Sequence, residues 1–236
     1  MCGICGIAGP GIERALVQRM CDSLAHRGPD GEGLYEGAGV ILGHRRLSII
    51  DLVTGDQPMT NEDGTIWVVY NGEIYNFREL RRGLEQRGHR FRSQSDTEVL
   101  VHGYEEYGVD WFSRLDGIFA FGLWDNRQRR LILVRDYFGV KPLYYRFDGE
   151  VLHFASEMKA ILLDPTVDRQ LDFQSLHYFL NLRFIPGERT LLEGIRRLPP
   201  AHYLLFEQGK IHLERYFALP PETARQRDEA YSVEGI

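Results

Sequence analysis

The second residue of the chain, Cys2, could act as a nucleophile that carries its own base. It follows Met1, and its neighbour Gly3 is small. Removal of Met1 would leave a free α-amine on the residue that bears the thiol. An α-amine has a pKa of about 7.7–8.0, so part of it is neutral near physiological pH and can accept the thiol proton. Cys2 would then work as an N-terminal nucleophile without a histidine base.

The same cysteine begins the pattern Cys2-Gly-Ile-Cys5, which could instead be a redox pair or half of a zinc site. A structural zinc site needs four ligands, and the sequence has neither a second C-x-x-C nor clustered histidines. A thioredoxin-like motif opens a helix, whereas the residues after Cys5 continue an apolar, strand-like run. We therefore expect Cys5 to be a small buried side chain and expect no metal in this chain.

The overall composition is typical of a soluble globular protein. The chain has 236 residues, of which 43% are hydrophobic and 26% are charged. A formal charge of −6 argues against nucleic-acid or anionic-membrane partners. The sequence has no apolar stretch of roughly 18 residues and no signal-peptide pattern, and three cysteines do not make a disulfide framework. These features predict a reduced, cytoplasmic protein.

The elements that must position Cys2 are mostly strands. Apolar and β-branched runs predict strands at 1–9, 39–51 and 65–70, and the four-residue spacing of apolar side chains from Ile12 to Leu24 predicts a helix. Asn71-Gly72 follows the third run, and from these residues alone a hairpin turn is the favoured interpretation.

From residue 78 onward the chain combines helices with further strands. Helices are expected at 78–86, capped by Asn76 with Glu79, and at 97–107, where Ser95 and Glu98 have the spacing of a capping box. A strand-rich stretch follows, with hairpin turns at Asp125-Asn126 and Asp148-Gly149, then two short helices and further strands. The bounds are 116–156 for the strands, 157–163 and 172–181 for the helices, and about 217 for the last strand.

Blocks of strands interrupted by helices, without regular βαβ alternation, predict an α+β fold of stacked antiparallel sheets covered by helices. From residue 218 the sequence becomes polar and proline-bearing, which is typical of a linker. The organisation expected is therefore one domain over 1–217 and a linker over 218–236.

Cys2-Gly3-Ile4 and Gly6-Ile7 are joined by seven further blocks in a fixed order. These are 26–30 (HRGPD), 46–51 (RLSIID), 71–76 (NGEIYN), 95–98 (SDTE), 116–121 (DGIFAF), 135–144 (with RD and GVKPLY) and 154–160 (FASEMKA). In this order and spacing the set resembles the class II glutamine amidotransferase domain, and most closely the glutaminase half of glutamine-hydrolysing asparagine synthetases.

The resemblance implies an Ntn-hydrolase fold, an αββα four-layer sandwich in which Cys2 begins an inner strand. It also implies an enzyme that hydrolyses L-glutamine to glutamate and ammonia through a Cys2 thioester. The ammonia would pass to an ATP-dependent amide synthetase that converts aspartate to asparagine.

The resemblance further assigns roles to single residues. Arg46 would bind the α-carboxylate of glutamine, and Glu73 with Asp96 the α-ammonium. The Asn71 side chain and the Gly72 backbone N–H would form the oxyanion hole. The backbone of the segment from Arg46 onward would line the pocket with Leu47, Ser48, Ile49 and Ile50.

Without the resemblance these residues have ordinary interpretations. Arg46 would be an exposed strand residue, and Asp96 a carboxylate at a helix N-terminus. The 26–30 block would be a proline turn, whereas in the family it is a loop that can close over glutamine. Residues 44 and 45 stay undecided, because neighbouring strand residues point to opposite faces.

The chain departs from asparagine synthetases in one respect. It contains no Ser-Gly-Gly-x-Asp-Ser loop for pyrophosphate and neither of the glycine-rich nucleotide-binding loops. We therefore expect no cofactor here, and ATP and Mg only in a separate synthetase domain or subunit that receives the ammonia. A chain that ends just after its glutaminase domain is the simpler interpretation, and a free-standing glutaminase is the alternative. A homodimer is also left open.

Other functions compete with this one. An amidotransferase acting on another carboxylate would share the domain. An Ntn cysteine amide hydrolase of different specificity would not need the three charged residues that match a free amino acid. A non-catalytic docking domain would be expected to lose Cys2 or Asn71, and both are present. A C-x-x-C redox or metal module is the last alternative.

Overall fold

Two antiparallel sheets of six strands each dominate the computed structural model, which describes residues 1–48, 51 and 54–218. In chain order the strands are β1 (Gly3–Ala8), β2 (Gly31–Gly37), β3 (Val40–Arg46), β4 (Met59–Thr60), β5 (Ile66–Ile74), β6 (Gly117–Asp125), β7 (Arg130–Arg135), β8 (Tyr144–Phe147), β9 (Leu152–Ala155), β10 (Ile195–Arg197), β11 (His202–Glu207) and β12 (Lys210–Arg215). The first sheet has the order β10-β8-β9-β1-β3-β2 and the second β12-β11-β7-β6-β5-β4.

Helices cover the outer face of each sheet. They are α1 (Arg14–Ser23), α2 (Phe77–Gln86), α3 (Glu98–Tyr107), α4 (Met158–Ile161) and α5 (Phe173–Leu182), with a 3-10 helix at Gly108–Arg114. Side chains of α1 and α4 pack on the first sheet, and those of α2 and α3 pack on the second. A third apolar cluster contains residues of both sheets and fills the space between them. The predicted αββα sandwich is confirmed.

The first strand lies in the middle of its sheet, between β3 and β9. Ile4 faces the other sheet, whereas Cys5 packs on the α1 side with Cys21. Because side chains alternate along a strand, Cys2 shares the inner face with Ile4 and points away from Cys5. The interpretation of C-x-x-C as a redox pair or half a zinc site is therefore wrong, and the expected burial of Cys5 is confirmed.

The fifth strand is longer than the sequence predicted. It runs to Ile74 rather than to residue 70, and Asn71 and Gly72 pair with Ala120 and Phe119 of β6. A Cβ on Gly72 would lie 2.3 Å from the Ile118 carbonyl oxygen, so glycine is required where the two strands meet. The hairpin turn expected at Asn71-Gly72 is wrong.

The predicted helices form, but their caps differ. Asn76 precedes α2, yet its side chain accepts from the Asp116 N–H and donates to the Arg114 carbonyl instead of capping the helix. Glu98 reaches back to the backbone N–H and hydroxyl of Ser93, two residues earlier than the expected capping box. Asn76 thus bonds distant residues instead of its own helix, whereas Glu98 keeps a local partner in Ser93.

The remaining boundaries are close to those predicted. The predicted strand over 39–51 ends at Arg46, because Leu47 and Ser48 are not in strand conformation. The two expected hairpins connect β6 to β7 and β8 to β9. The expected linker, apart from residue 218, lies outside the described residues. No helix among those described has both the length and the apolarity of a membrane span.

Two glycines in the neighbouring helices α2 and α3 test how closely α3 packs against Trp111. A Cβ on Gly103 of α3 would lie 1.8 Å from the Trp111 ring, whereas nothing lies within 4 Å of one on Gly83 of α2. We expect Gly103→Ala to lower the free energy of unfolding by about 1–3 kcal/mol. Gly83→Ala should raise it by about 0.5–1 kcal/mol, since alanine favours the helix. Urea unfolding of both variants measures this, and equal effects would contradict the described contact between α3 and Trp111.

Candidate functional site

One cleft brings together most of the residues that the sequence singled out. It lies where the start of β1, the end of β3, the last part of β5 and the segment before α3 meet. Seven predicted residues line it, namely Cys2, Arg46, Leu47, Asn71, Gly72, Glu73 and Asp96. Ser48 is not among the lining residues, and its backbone N–H donates to Asp30 instead. Ile49 and Ile50 lie outside the described residues.

The backbone around Cys2 is held by a partly buried charged pair, Arg27 and Glu157. The Cys2 carbonyl accepts from Arg27 Nε at 3.0 Å, and Arg27 Nη1 donates to Glu157 Oε1 at 3.0 Å. The thiol lies 3.4 Å from the Leu47 N–H, which donates to it. These contacts fix the position of Cys2, and they give the 26–30 and 154–160 blocks a shared role that the sequence did not reveal.

The edge of β5 that borders the cleft supplies backbone donors. β4 pairs only with Trp67 and Val68, so it does not reach the end of β5. The Tyr70 N–H donates to Gln57 Oε1 at 2.6 Å, and the Ile74 N–H donates to Asp96 Oδ2 at 2.9 Å. Alternate N–H groups of a strand point to the same edge. The Gly72 N–H therefore points into the cleft between these two.

Asn71 offers a second donor. Its side chain is buried, with 1% exposure, and Nδ2 has no hydrogen-bond partner among the described residues. Val69 faces the space between the sheets, and Asn71, two residues further on, shares that face with Cys2. Buried amide donors are rarely left unpaired, so this one has the character of a group reserved for a ligand.

Arg46 provides a cation at the cleft, and its side chain is only 9% exposed. Its guanidinium bonds Asp56 Oδ1 at 2.6 Å and the Asp51 carbonyl. Arg45 points to the opposite face, where it pairs with Asp22 and Glu32. The interpretation of Arg46 as an exposed strand residue is therefore wrong.

His44, on the same face as Arg46, is buried too deeply to act in the cleft as an acid or base at neutral pH. Its side chain is fully buried, and burial lowers the pKa of His44 to about 3. The ring therefore stays neutral in the interior. Strand alternation alone did not decide the roles of residues 44 and 45. The burial of His44 and the ion pairs of Arg45 on the opposite face now do so.

Asp96 and Glu73 contribute two carboxylates to the cleft. Asp96 Oδ2 accepts from the Tyr70 hydroxyl at 2.6 Å as well as from the Ile74 N–H. Burial raises the pKa of Asp96, the nearby Glu73 adds to that rise, and the two hydrogen bonds oppose it. A cation bound between the two carboxylates would relieve this unfavourable charge.

Besides Met1, six further residues line the cleft, and none of them was assigned a role in binding or catalysis from the sequence. They are Gly55, Gln57, Tyr70, Ser95, Thr97 and Lys141. Ser95 and Thr97 flank Asp96, and Lys141 lies in a matched block, so proximity in sequence could have suggested them. Gln57 bridges the Tyr70 N–H and the Thr97 hydroxyl from a loop, and no local pattern marks it.

A family model described as a glutamine amidotransferase domain matches residues 1–217. The chain belongs to this family. As a glutamine amidotransferase domain it is homologous to the glutaminase part of glutamine-hydrolysing asparagine synthetases, as two relatives illustrate. Asparagine synthetase 1 of Bacillus subtilis is 38% identical over 224 residues, which are 92% of this chain and 35% of that protein. Asparagine synthetase 1 of Arabidopsis thaliana is 47% identical over 167 residues, 68% of this chain and 28% of the relative.

The domain thus spans about a third of the length of these curated relatives. Solved structures agree on its fold. The glutamine phosphoribosylpyrophosphate amidotransferase of B. subtilis has a TM-score of 0.65 at 21% identity, over 91% of this chain and 49% of that one. The allosteric regulatory enzyme of purine biosynthesis has a TM-score of 0.68 at the same identity and coverage.

The ion pair of Arg27 with Glu157, which holds Cys2, should make the stability of the fold depend on pH. Partial burial opposes ionisation of Glu157, but hydrogen bonds from Arg27, His26 and Lys159 outweigh it and lower its pKa from 4.5 to about 2. A lowered carboxyl pKa stabilises the fold above the unfolded value, and this stabilisation is lost as the pH falls from 4.5 towards 2. Glu157→Gln should therefore reduce the free energy of unfolding by about 1 kcal/mol near neutral pH, discounted for partial solvent exposure.

The difference between wild type and Glu157→Gln should shrink as unfolding is measured at progressively lower pH. Glu36→Gln is the matched control, because it removes a carboxylate from an exposed pair with Arg14 and should change stability little. A Glu157→Gln effect that stays constant with pH would contradict the ionic origin of the contact.

Proposed function

We propose that the cleft hydrolyses L-glutamine to glutamate and ammonia, with Cys2 as the nucleophile. The observation that carries the proposal is that the Cys2 thiol shares a cleft with the Asn71 amide, whose Nδ2 has no partner in the part of the chain that the structure describes. A cation and two carboxylates in the same cleft match the charges of a free amino acid.

Arg46 would bind the α-carboxylate through its planar guanidinium, which suits bidentate contact. One of its present partners, Asp56, has an 84% exposed side chain. Water can solvate that carboxylate when it leaves, so a substrate carboxylate can take its place on Arg46. The α-ammonium would lie between Glu73 and Asp96, where it would offset the charge that raises the pKa of Asp96.

The reaction follows from the groups around Cys2. Once Met1 is removed, the α-amine accepts the Sγ proton, and the thiolate attacks the side-chain amide carbon of glutamine. Asn71 Nδ2 and the Gly72 N–H donate to the oxygen that becomes negative. The carbon–nitrogen bond breaks, the amine returns the proton, and ammonia leaves. Water then hydrolyses the thioester to glutamate and restores the thiol.

The ammonia would be used by an ATP-dependent amide synthetase that converts aspartate to asparagine. The comparisons support such a partner domain or subunit, because the relatives are named asparagine synthetases and are about three times as long as the matched region. The structure supports it too, because α5 and the residues after it expose large apolar side chains, which another domain would cover. They are Phe173, Phe179, Leu180, Leu182 and Phe184.

In this proposal, ATP and Mg²⁺ belong to the synthetase part. A thiol nucleophile must remain reduced, which favours a cytoplasmic location for the reaction.

The test is intact-mass analysis before and after reaction with 6-diazo-5-oxo-L-norleucine, a glutamine analogue that alkylates such nucleophiles. We expect loss of Met1 and one adduct on Cys2 that excess glutamine prevents. Cys2→Ala should abolish the adduct, and Cys21→Ala, at a buried cysteine, should retain it. A retained Met1, or an adduct on Cys5 or Cys21, would overturn the assignment of Cys2.

A further inference from the structure

Four metal-binding side chains meet away from the cleft. Glu62 lies in the turn between β4 and β5, His89 follows α2, and His102 and Glu105 lie on α3. One ligand atom from each lies within 4.8 Å of the others. The two histidines are far apart in the sequence, which is why the sequence predicted no metal.

His102 presents one ring nitrogen to this cluster. Its side chain is fully buried, and Nε2 lies 3.4 Å from Glu98 Oε1. Glu98 is itself fixed by the backbone N–H groups of Arg92 and Ser93. With Nε2–H donating to this carboxylate, Nδ1 carries a lone pair. Nδ1 is buried, lies 3.3 Å from Glu62 Oε2 and has no hydrogen-bond partner among the described residues.

His89 repeats the arrangement. Its Nε2 lies 3.4 Å from Glu106 Oε2, and its Nδ1 lies 3.8 Å from Glu105 Oε2. The two imidazole rings are 5.1 Å apart, centre to centre. Each histidine thus has one carboxylate near Nε2 and a carboxylate of the cluster near Nδ1, and carboxylates orient metal-binding histidines in the same way.

Hydrogen bonds from neighbouring residues also hold the two carboxylates of the cluster, Glu62 and Glu105. The Arg90 N–H donates to Glu62 Oε1 at 2.8 Å. Asn61 Nδ2 donates to Glu105 Oε2 at 3.2 Å, and Arg127 Nη2 approaches Glu105 Oε1 at 3.4 Å. These hydrogen bonds restrict the orientations of both carboxylates, and each of Glu62 Oε2 and Glu105 Oε2 keeps a lone pair that could bind an ion.

We propose that Glu62, His89, His102 and Glu105 bind a divalent transition metal, with zinc the best match. Two imidazole nitrogens and two carboxylate oxygens suit zinc, and fewer oxygen ligands are present than calcium requires. A tetrahedral zinc ion needs ligand atoms about 3.3–3.4 Å apart. The His102–Glu62 distance already meets this, and the other ligands need side-chain movements of roughly 1 Å.

The ion would clamp the segment that carries part of the cleft. Residues 89–102 connect the two histidines, and Ser95, Asp96 and Thr97 of the cleft lie within that segment. Asp96 precedes His102 by less than two helical turns. Metal binding would therefore join the β4–β5 turn, the end of α2 and α3, and so hold Asp96 in place. The binding claim itself does not depend on the proposed glutaminase activity.

The test measures zinc binding to the full chain, freed of any affinity tag and carrying Cys2→Ala to remove the accessible thiol. Equilibrium dialysis against micromolar zinc with metal analysis should give one zinc ion per chain, and the melting temperature should rise with zinc. His89→Gln and Glu62→Gln should each weaken binding by roughly a hundredfold or more, since loss of a group that only orients a ligand already costs 10–100-fold.

His212→Gln is the matched control, because His212 is an exposed histidine 3.7 Å from Glu214 and should leave binding unchanged. Circular dichroism shows whether the variants fold, and Glu62 is exposed enough for its variant to remain folded if His89→Gln does not. Zinc that binds equally well to Glu62→Gln, or no stoichiometric zinc on the parent chain, would overturn the proposal. Tetrahedral absorption of bound Co²⁺ that Glu62→Gln abolishes would support it.

Discussion

Beyond Val68, one edge of β5 has no neighbouring strand among the described residues, and the hydrogen-bonding needs of that edge organise the cleft. Buried backbone N–H groups must find partners. The loop residue Gln57 supplies one for Tyr70, and Asp96 supplies one for Ile74. Gly72 lies between them, so its N–H is left facing the space in which a ligand oxygen would sit. The short β4 is thus the structural origin of the site.

Cys2 reaches this edge because β1 occupies the centre of the opposite sheet. The first residues can pack there because they are small: a Cβ on Gly6 would lie 2.5 Å from the Phe154 ring, and one on Gly3 would lie 2.9 Å from Leu24. Ser156 bonds both the N–H and the carbonyl of Ile4 through its hydroxyl and backbone N–H. Arg27 donates to the Cys2 carbonyl and is itself paired with Glu157, so the segments after α1 and β9 fix where the thiol lies.

Much of this could be predicted from the sequence where the signal is periodic. Apolar spacing located α1 and most strands, and the order of matched blocks gave the family, which supplied the four-layer order that periodicity alone did not reach. Asn71-Gly72 failed as a turn because the ladder with β6, a non-local contact, outweighed a local preference. Gln57 and the meeting of His89 with His102 depend on loops closing over helices, and neither leaves a pattern in the sequence.

The most direct test of the account concerns the Asn71 amide, because the proposed hydrolysis needs a donor for the oxyanion and Asn71 Nδ2 has no partner among the described residues. Steady-state kinetics of glutamine hydrolysis by Asn71→Ala should show kcat lowered by roughly a hundredfold or more, with KM nearly unchanged, since the lost contact forms only in the transition state. Asp96→Asn should instead raise KM. An Asn71→Ala enzyme with normal kcat and a raised KM would contradict the account, because Asn71 would then bind the substrate without stabilising the oxyanion.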